Sequence, residues 1–128
     1  MSTTPSPTFG LWYDFRNPPQ WHQPIGDLYR ATVDQAVWAE GLEYGSAWVS
    51  EHHFSEDDYT SSPLTIAATI AAPTSTMRVG TNIIVAGLHE PVRLAEDATA
   101  LSLLTDNRFD LGLGLGITPL SSPPSDAR

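Results

Sequence analysis

Apolar positions along the chain follow two alternating rhythms. Short, nearly continuous apolar runs recur at residues 9–15 (FGLWYDF), Ser46–Val49 (SAWV), 78–85 (RVGTNIIV) and 109–115 (FDLGLGL), each bounded by Gly, Pro or polar residues. Runs this short suit strands rather than helices. The second half of RVGTNIIV is apolar at successive positions instead of every second one, the mark of a strand covered on both faces in a parallel sheet. Between the runs the spacing becomes helical. Leu28, Thr32, Ala36 and Ala39, beside Tyr29, Val33 and Val37, predict a helix from Ile25 to near Gly41. Ser62-Pro63 opens a second helix running to Ala72, with Ser as the cap and Pro in the first turn. Residues 91–105 form a third, with packing stripes Val92, Ala95, Thr99, Leu103 and Leu94, Ala98, Leu101. The order βαβαβαβ predicts an α/β fold with about four parallel strands, three intervening helices and right-handed crossovers.

The flanks lack either rhythm. Residues 1–8 are Ser, Thr and Pro and are predicted to form a disordered tail, while residues 117–128 (ITPLSSPPSDAR) are predicted to be irregular, a truncated or non-native end. One domain, 9–116, remains. With 15 acidic residues against six basic ones, the net charge is -9, and the basic residues are all Arg, dispersed along the chain. That argues against nucleic acid and anionic membrane as partners. There is no cysteine, hence no disulfide framework and no thiolate metal site. No apolar run approaches the roughly 20 residues of a membrane span, and no basic-then-apolar leader opens the chain. A cytoplasmic protein is expected.

Chemistry concentrates in WVSEHHF, residues 48–54, where an apolar run stops at Glu51, His52 and His53. Successive residues of an extended chain point to opposite faces, so at most one of the two histidines faces a pocket. A solvated loop pair and an ordinary packing histidine account for the same pattern. Three consecutive residues rarely converge on one ion, and the HExxH spacing is absent, so no metal site is expected. Gly112, Gly114 and Gly116 fall on one face of the fourth strand, leaving room for either a flat ligand or a neighbouring backbone.

In order and spacing, WVSEHHF, Ser62-Pro63, RVGTNIIV and HEPVRLAEDATALSLLTDNRFDLGLG (residues 89–114) resemble the luciferase-like flavin monooxygenase family, which includes bacterial luciferase and deazaflavin-dependent relatives. The resemblance covers residues 9 to about 116. It implies the N-terminal half of a TIM (β/α)8 barrel, with the active site at the C-terminal strand ends, where Glu51 and His52 fall. By this resemblance His52 is the pocket-facing acid/base group, a role suited to an imidazole near neutrality, with Glu51 beside it and His53 as a motif neighbour. Thr81, Asn82, Ile83 and Gly114 are the cofactor-binding residues, and Asn82-Ile83 is a non-prolyl cis bond in the complete barrel. His89, Glu90 and Arg93 are structural, Arg93 pairing with Glu96 or Asp97. The implied cofactor is reduced FMN or 8-hydroxy-5-deazaflavin (coenzyme F-420), and the implied partners are a small-molecule substrate, dioxygen, a flavin reductase and a second copy of the chain. Two departures stand out: a closed barrel needs about 250 residues, and Leu115 stands where luciferase places an arginine near the flavin phosphate. An active enzyme segment and a non-catalytic half-barrel used for assembly both follow from that.

Overall fold

A computed structural model describes residues 8–116, so both expected tails, apart from Thr8, lie outside the described residues. Four strands, β1 (Gly10–Tyr13), β2 (Ser46–Val49), β3 (Arg78–Thr81) and β5 (Phe109–Asp110), form one parallel sheet in the order β1-β2-β3-β5. The register runs Tyr13 to Val49 to Thr81, so three strands end level with one another. Three helices connect them: α1 (Ile25–Glu40), α2 (Pro63–Ala71) and α3 (Pro91–Leu104). The alternating apolar positions Leu11, Tyr13, Ala47, Val49 and Val79 pack with Ala36 and Ala39 of α1, with Ile66, Ala67 and Ile70 of α2 and with Leu101 of α3. Alanines at the contacts let helix and sheet backbones approach closely, which suits the dense packing of a protein interior. The alternate positions Trp12, Trp48 and Gly80 face the other side. A half-barrel has this form, with helices outside and the concave face open.

The fourth expected strand is divided. Phe109–Asp110 continues the main sheet, whereas β6 (Leu113–Gly114) pairs with β4 (Ile84–Val85) in a separate two-stranded ladder. The third run is divided at the same level, where Asn82-Ile83 is a cis peptide in this chain. Beyond it the amide of Ile84 donates to the Gly112 carbonyl at 2.8 Å, starting the second ladder. The apolar residues of this run are not uniformly placed: Phe109 is buried, while Leu111, Leu113 and Leu115 are exposed.

Of the three helices, α3 alone has a side-chain N-cap. Glu90 caps α3 by accepting the Arg93 amide at 2.8 Å, and Pro91 occupies the first turn. Ser62 sits at the N-cap of α2 but makes no side-chain capping bond, so the expected cap is positional only. Arg93 lies 3.6 Å from Glu96 and 3.9 Å from Asp97 on the exposed face of α3, matching the expected pairing. Arg108 reaches back from β5 and donates to the carbonyls of Ala71, Thr74 and Met77, tying the end of α2 to the start of β3.

Glu40, the last residue of α1, makes the corresponding tie for the first helix. Its carboxylate accepts the amides of Ser75, Thr76 and Met77 at 2.6 to 2.9 Å. Burial alone would push this carboxyl up, but the three amides outweigh it and hold the pKa at about 2. A depressed folded-state pKa means the stabilisation is fully present above the ordinary carboxylate range and is lost as pH falls toward 2. Glu40→Gln is expected to lower stability at neutral pH by about 1 kcal/mol after allowing for solvent screening. Urea melts of both proteins from pH 7 to pH 2 check this: the gap should close on the acid side, and a pH-independent gap would contradict it.

Candidate active site

The C-terminal ends of β1, β2 and β3 carry the polar residues that the sheet itself does not use. Hydrogen bonds continue past the strand ends, from Ser50 N–H to the Tyr13 carbonyl at 3.1 Å and from Asn82 N–H to the Val49 carbonyl at 2.8 Å. The segments leaving the strands therefore start from fixed positions. The loops after β1 and β2 are then clasped together. Arg16 pairs with Asp57, Asn17 donates from its amide to the Asp57 carbonyl at 2.9 Å, and its side chain donates to Asp58 at 2.9 Å. The Arg16 guanidinium also lies 4.9 Å from the Tyr59 ring centroid. Phe15, Phe54, Asp58 and Tyr59 all have positive φ in these two loops, a left-handed conformation that bulky residues adopt only where surrounding contacts hold them.

Glu51 is the centre of the polar cluster. Its side chain is fully buried, at 0% exposure. One carboxylate oxygen accepts the Val85 amide at 2.7 Å, the other lies 2.7 Å from His53 Nε2, and His89 Nε2 approaches the two oxygens at 2.9 and 3.2 Å. Burial alone would raise its pKa. The hydrogen bonds from His53, the Val85 amide and His89 outweigh that effect and hold the carboxyl below its usual range. His52 goes elsewhere: it is exposed, its amide donates to the Thr60 carbonyl at 2.7 Å, and its ring packs on Tyr59 with centroids 3.9 Å apart.

Glu51 thus pairs with its motif neighbour His53 and with His89, and not with His52. Period-two alternation carries the signal for one of these, since Glu51 and His53 are two residues apart and share a side. Nothing local marks His89, which lies 38 residues from Glu51 in the chain. Its expected structural role is therefore joined to the candidate site.

Next to this cluster a groove of about 430 Å³ opens on the concave face, lined by Trp12, Trp48, Thr81, Asn82, Ile83 and Gly112. Three of the four expected cofactor residues line it, while Gly114 does not. Thr81 contributes no spare hydroxyl, because its Oγ1 both accepts the Gly112 amide and donates to the Gly112 carbonyl at 3.0 Å. The glycines of the fourth run answer to neighbouring groups: a methyl on Gly112 would strike the Thr81 carbonyl, and one on Gly114 would strike the Ile83 side chain. Gly80 has the same relation to the Trp48 ring and sets where that ring lies in the groove. Among the described residues, no group of three or more potential metal ligands is arranged to hold an ion.

This chain belongs to the luciferase-like monooxygenase family, whose profile matches residues 8–121. It is 36% identical over 115 residues to 4-hydroxyprotoasukamycin monooxygenase of Streptomyces nodosus subsp. asukaensis, an alignment covering 82% of this chain and 31% of that protein. Its fold matches the oxygenating constituent of 3,6-diketocamphane monooxygenase from Pseudomonas putida, a Type II Baeyer-Villiger monooxygenase solved in complex with FMN. That match has a TM-score of 0.79 at 22% identity, over 88% of this chain and 30% of that one. The coenzyme F420 dependent tetrahydromethanopterin reductase of Methanopyrus kandleri shares the fold at a TM-score of 0.59 and 18% identity, over 86% of this chain and 27% of that one. The chain therefore spans about a third of the length of these relatives.

Gly80→Ala tests how the groove is built. The added methyl must displace the Trp48 ring, so the variant is expected to lose about 1–3 kcal/mol of stability and to shift tryptophan emission. Unchanged emission and an unchanged urea midpoint would mean that Gly80 does not fix the ring.

Proposed function

We propose that this chain forms the flavin-facing part of a flavin-dependent oxidoreductase, one that uses reduced flavin and dioxygen on a small organic substrate. The observation that supports it best is the groove: two indoles, the Asn82-Ile83 segment and the Gly112 backbone offer a flat, largely apolar lining near the polar cluster around the buried Glu51. Such a combination of apolar wall and few convergent polar groups suits a planar cofactor. Thr81, Asn82 and Ile83 would hold the ring, with Gly114 supporting Ile83 from behind. All five arginines among the described residues are already engaged, Arg16, Arg30, Arg78 and Arg93 with carboxylates and Arg108 with carbonyls. The cofactor phosphate would thus be held elsewhere.

FMN is the first choice of cofactor, since FMN is bound in the diketocamphane monooxygenase constituent. Coenzyme F-420 is the second, because the shared fold extends to the F420 dependent reductase. Bound there, the flavin would supply the redox chemistry, and the protein would supply binding, orientation and a proton. In this reading His52, exposed at the rim on Tyr59, serves as the acid/base group. A reductase partner, self-association of the chain and a cytoplasmic setting complete the proposal. No helix among the described residues is long and apolar enough to cross a membrane.

Fluorescence titration of the purified chain with FMN, and in parallel with F-420, tests the binding half. Tryptophan quenching by one of them is expected, reversible on desalting, and Trp48→Ala should weaken it about tenfold, the equivalent of about 1.4 kcal/mol of ring contact. Titrations unaffected by either cofactor, or by that substitution, would favour a non-catalytic half-barrel. For the chemical half, His52→Ala in a full-length protein carrying this segment should lower kcat by about 100-fold or more. Wild-type turnover in that variant would remove His52 from the role.

A further inference from the structure

We propose that Glu51 is a positioning residue that locks both His53 and His89 as Nε2–H tautomers, so that each ring presents Nδ1 as a bare proton acceptor at the C-terminal end of the sheet. The assignment follows from what each group can donate. A neutral imidazole carries one N–H and one acceptor nitrogen, whereas an ionised carboxylate only accepts. The donors around the Glu51 carboxyl outweigh its burial and hold it below the usual carboxylate range, and the Val85 amide, a donor that cannot reverse its role, takes one of its oxygens at 2.7 Å. His53 Nε2 at 2.7 Å and His89 Nε2 at 2.9 Å must therefore be the protonated nitrogens. Three donors fit the roughly four lone-pair positions of one carboxylate.

Both rings are 27% exposed at their side chains, so neither is sealed in the core. No hydrogen bond among the described residues engages Nδ1 of either ring. The arrangement is a pair of carboxylate-backed imidazoles sharing one anion, one from the end of β2 and one from the segment entering α3. A carboxylate behind an imidazole fixes its tautomer and orientation. The site thus contains two oriented proton acceptors besides His52, and their ligand would be a small molecule offering an N–H or O–H. Their use in turnover rests on the flavin reading above; the tautomer assignment does not.

Long-range 1H–15N correlation spectra of the 15N-labelled chain, recorded above the imidazole titration range, test it. His53 and His89 are expected to show the Nε2–H pattern. In Glu51→Gln at least one of the two should revert to a tautomer mixture, with His22 and His52 unmoved and the backbone amide spectrum retained. If Glu51→Gln does not fold, His53→Gln and His89→Gln serve in its place: each should shift the ring signals of the other histidine, because the two share one carboxylate. An Nδ1–H pattern at either ring of the wild type, or ring signals of His53 unmoved by His89→Gln, would overturn the proposal. Failure to bind flavin with both tautomers as expected would instead count against the flavin reading alone.

Discussion

A carboxylate buried at the end of a strand needs donors, and satisfying Glu51 organises much of the site. Left unpaired, an ionised group in that position would cost several kcal/mol. The donors it collects come from three separate parts of the chain: the β4 backbone at Val85, the ring of His53 and the ring of His89. One side chain thereby fixes the segment after β2, the second ladder and the approach to α3 relative to one another. The resulting geometry is available to chemistry because it lies at the C-terminal strand ends, where the loops rather than the sheet determine what is presented.

The two faces of the sheet divide the work. On the helix side, alanines at positions 36, 39, 47, 67 and 71 bring backbones close. On the concave side, large and absent side chains are matched instead. Trp48 lies where Gly80 leaves space, and the indole N–H donates to the Ser46 hydroxyl at 3.0 Å. An indole buried on one side and satisfied at its nitrogen is a rigid wall. That wall, rather than any charged group, is what would suit the groove to the flat apolar partner proposed for it.

Carboxylate-to-backbone ties recur along the chain. Glu40 holds the turn before β3, Glu90 caps α3, and Glu51 holds Val85. With a net charge of -9 the chain has acidic groups in excess, and these three are used as acceptors for amides that local secondary structure leaves unpaired. Arg108 does the converse for the carbonyls at the end of α2. Such ties set loop positions accurately, which a site assembled from loops requires.

Much of this was legible in the sequence, because strands and helices are encoded by spacings of two and of three to four residues that need no knowledge of the rest of the chain. The α1 and α3 helices begin where the periodicity places them, and alternation puts Glu51 and His53 on one side. What lies 30 to 40 residues apart was not legible. The pairing of His89 with Glu51 and the packing of Gly80 beneath Trp48 depend on the register between strands, as does the division of the fourth run into two ladders. Register is decided by how whole elements fit together, not by any local pattern. The family resemblance pointed to the end of β2 as the candidate site; only the folded chain decided which imidazoles share its carboxylate, because a buried anion is satisfied by whichever donors the assembled sheet brings within reach.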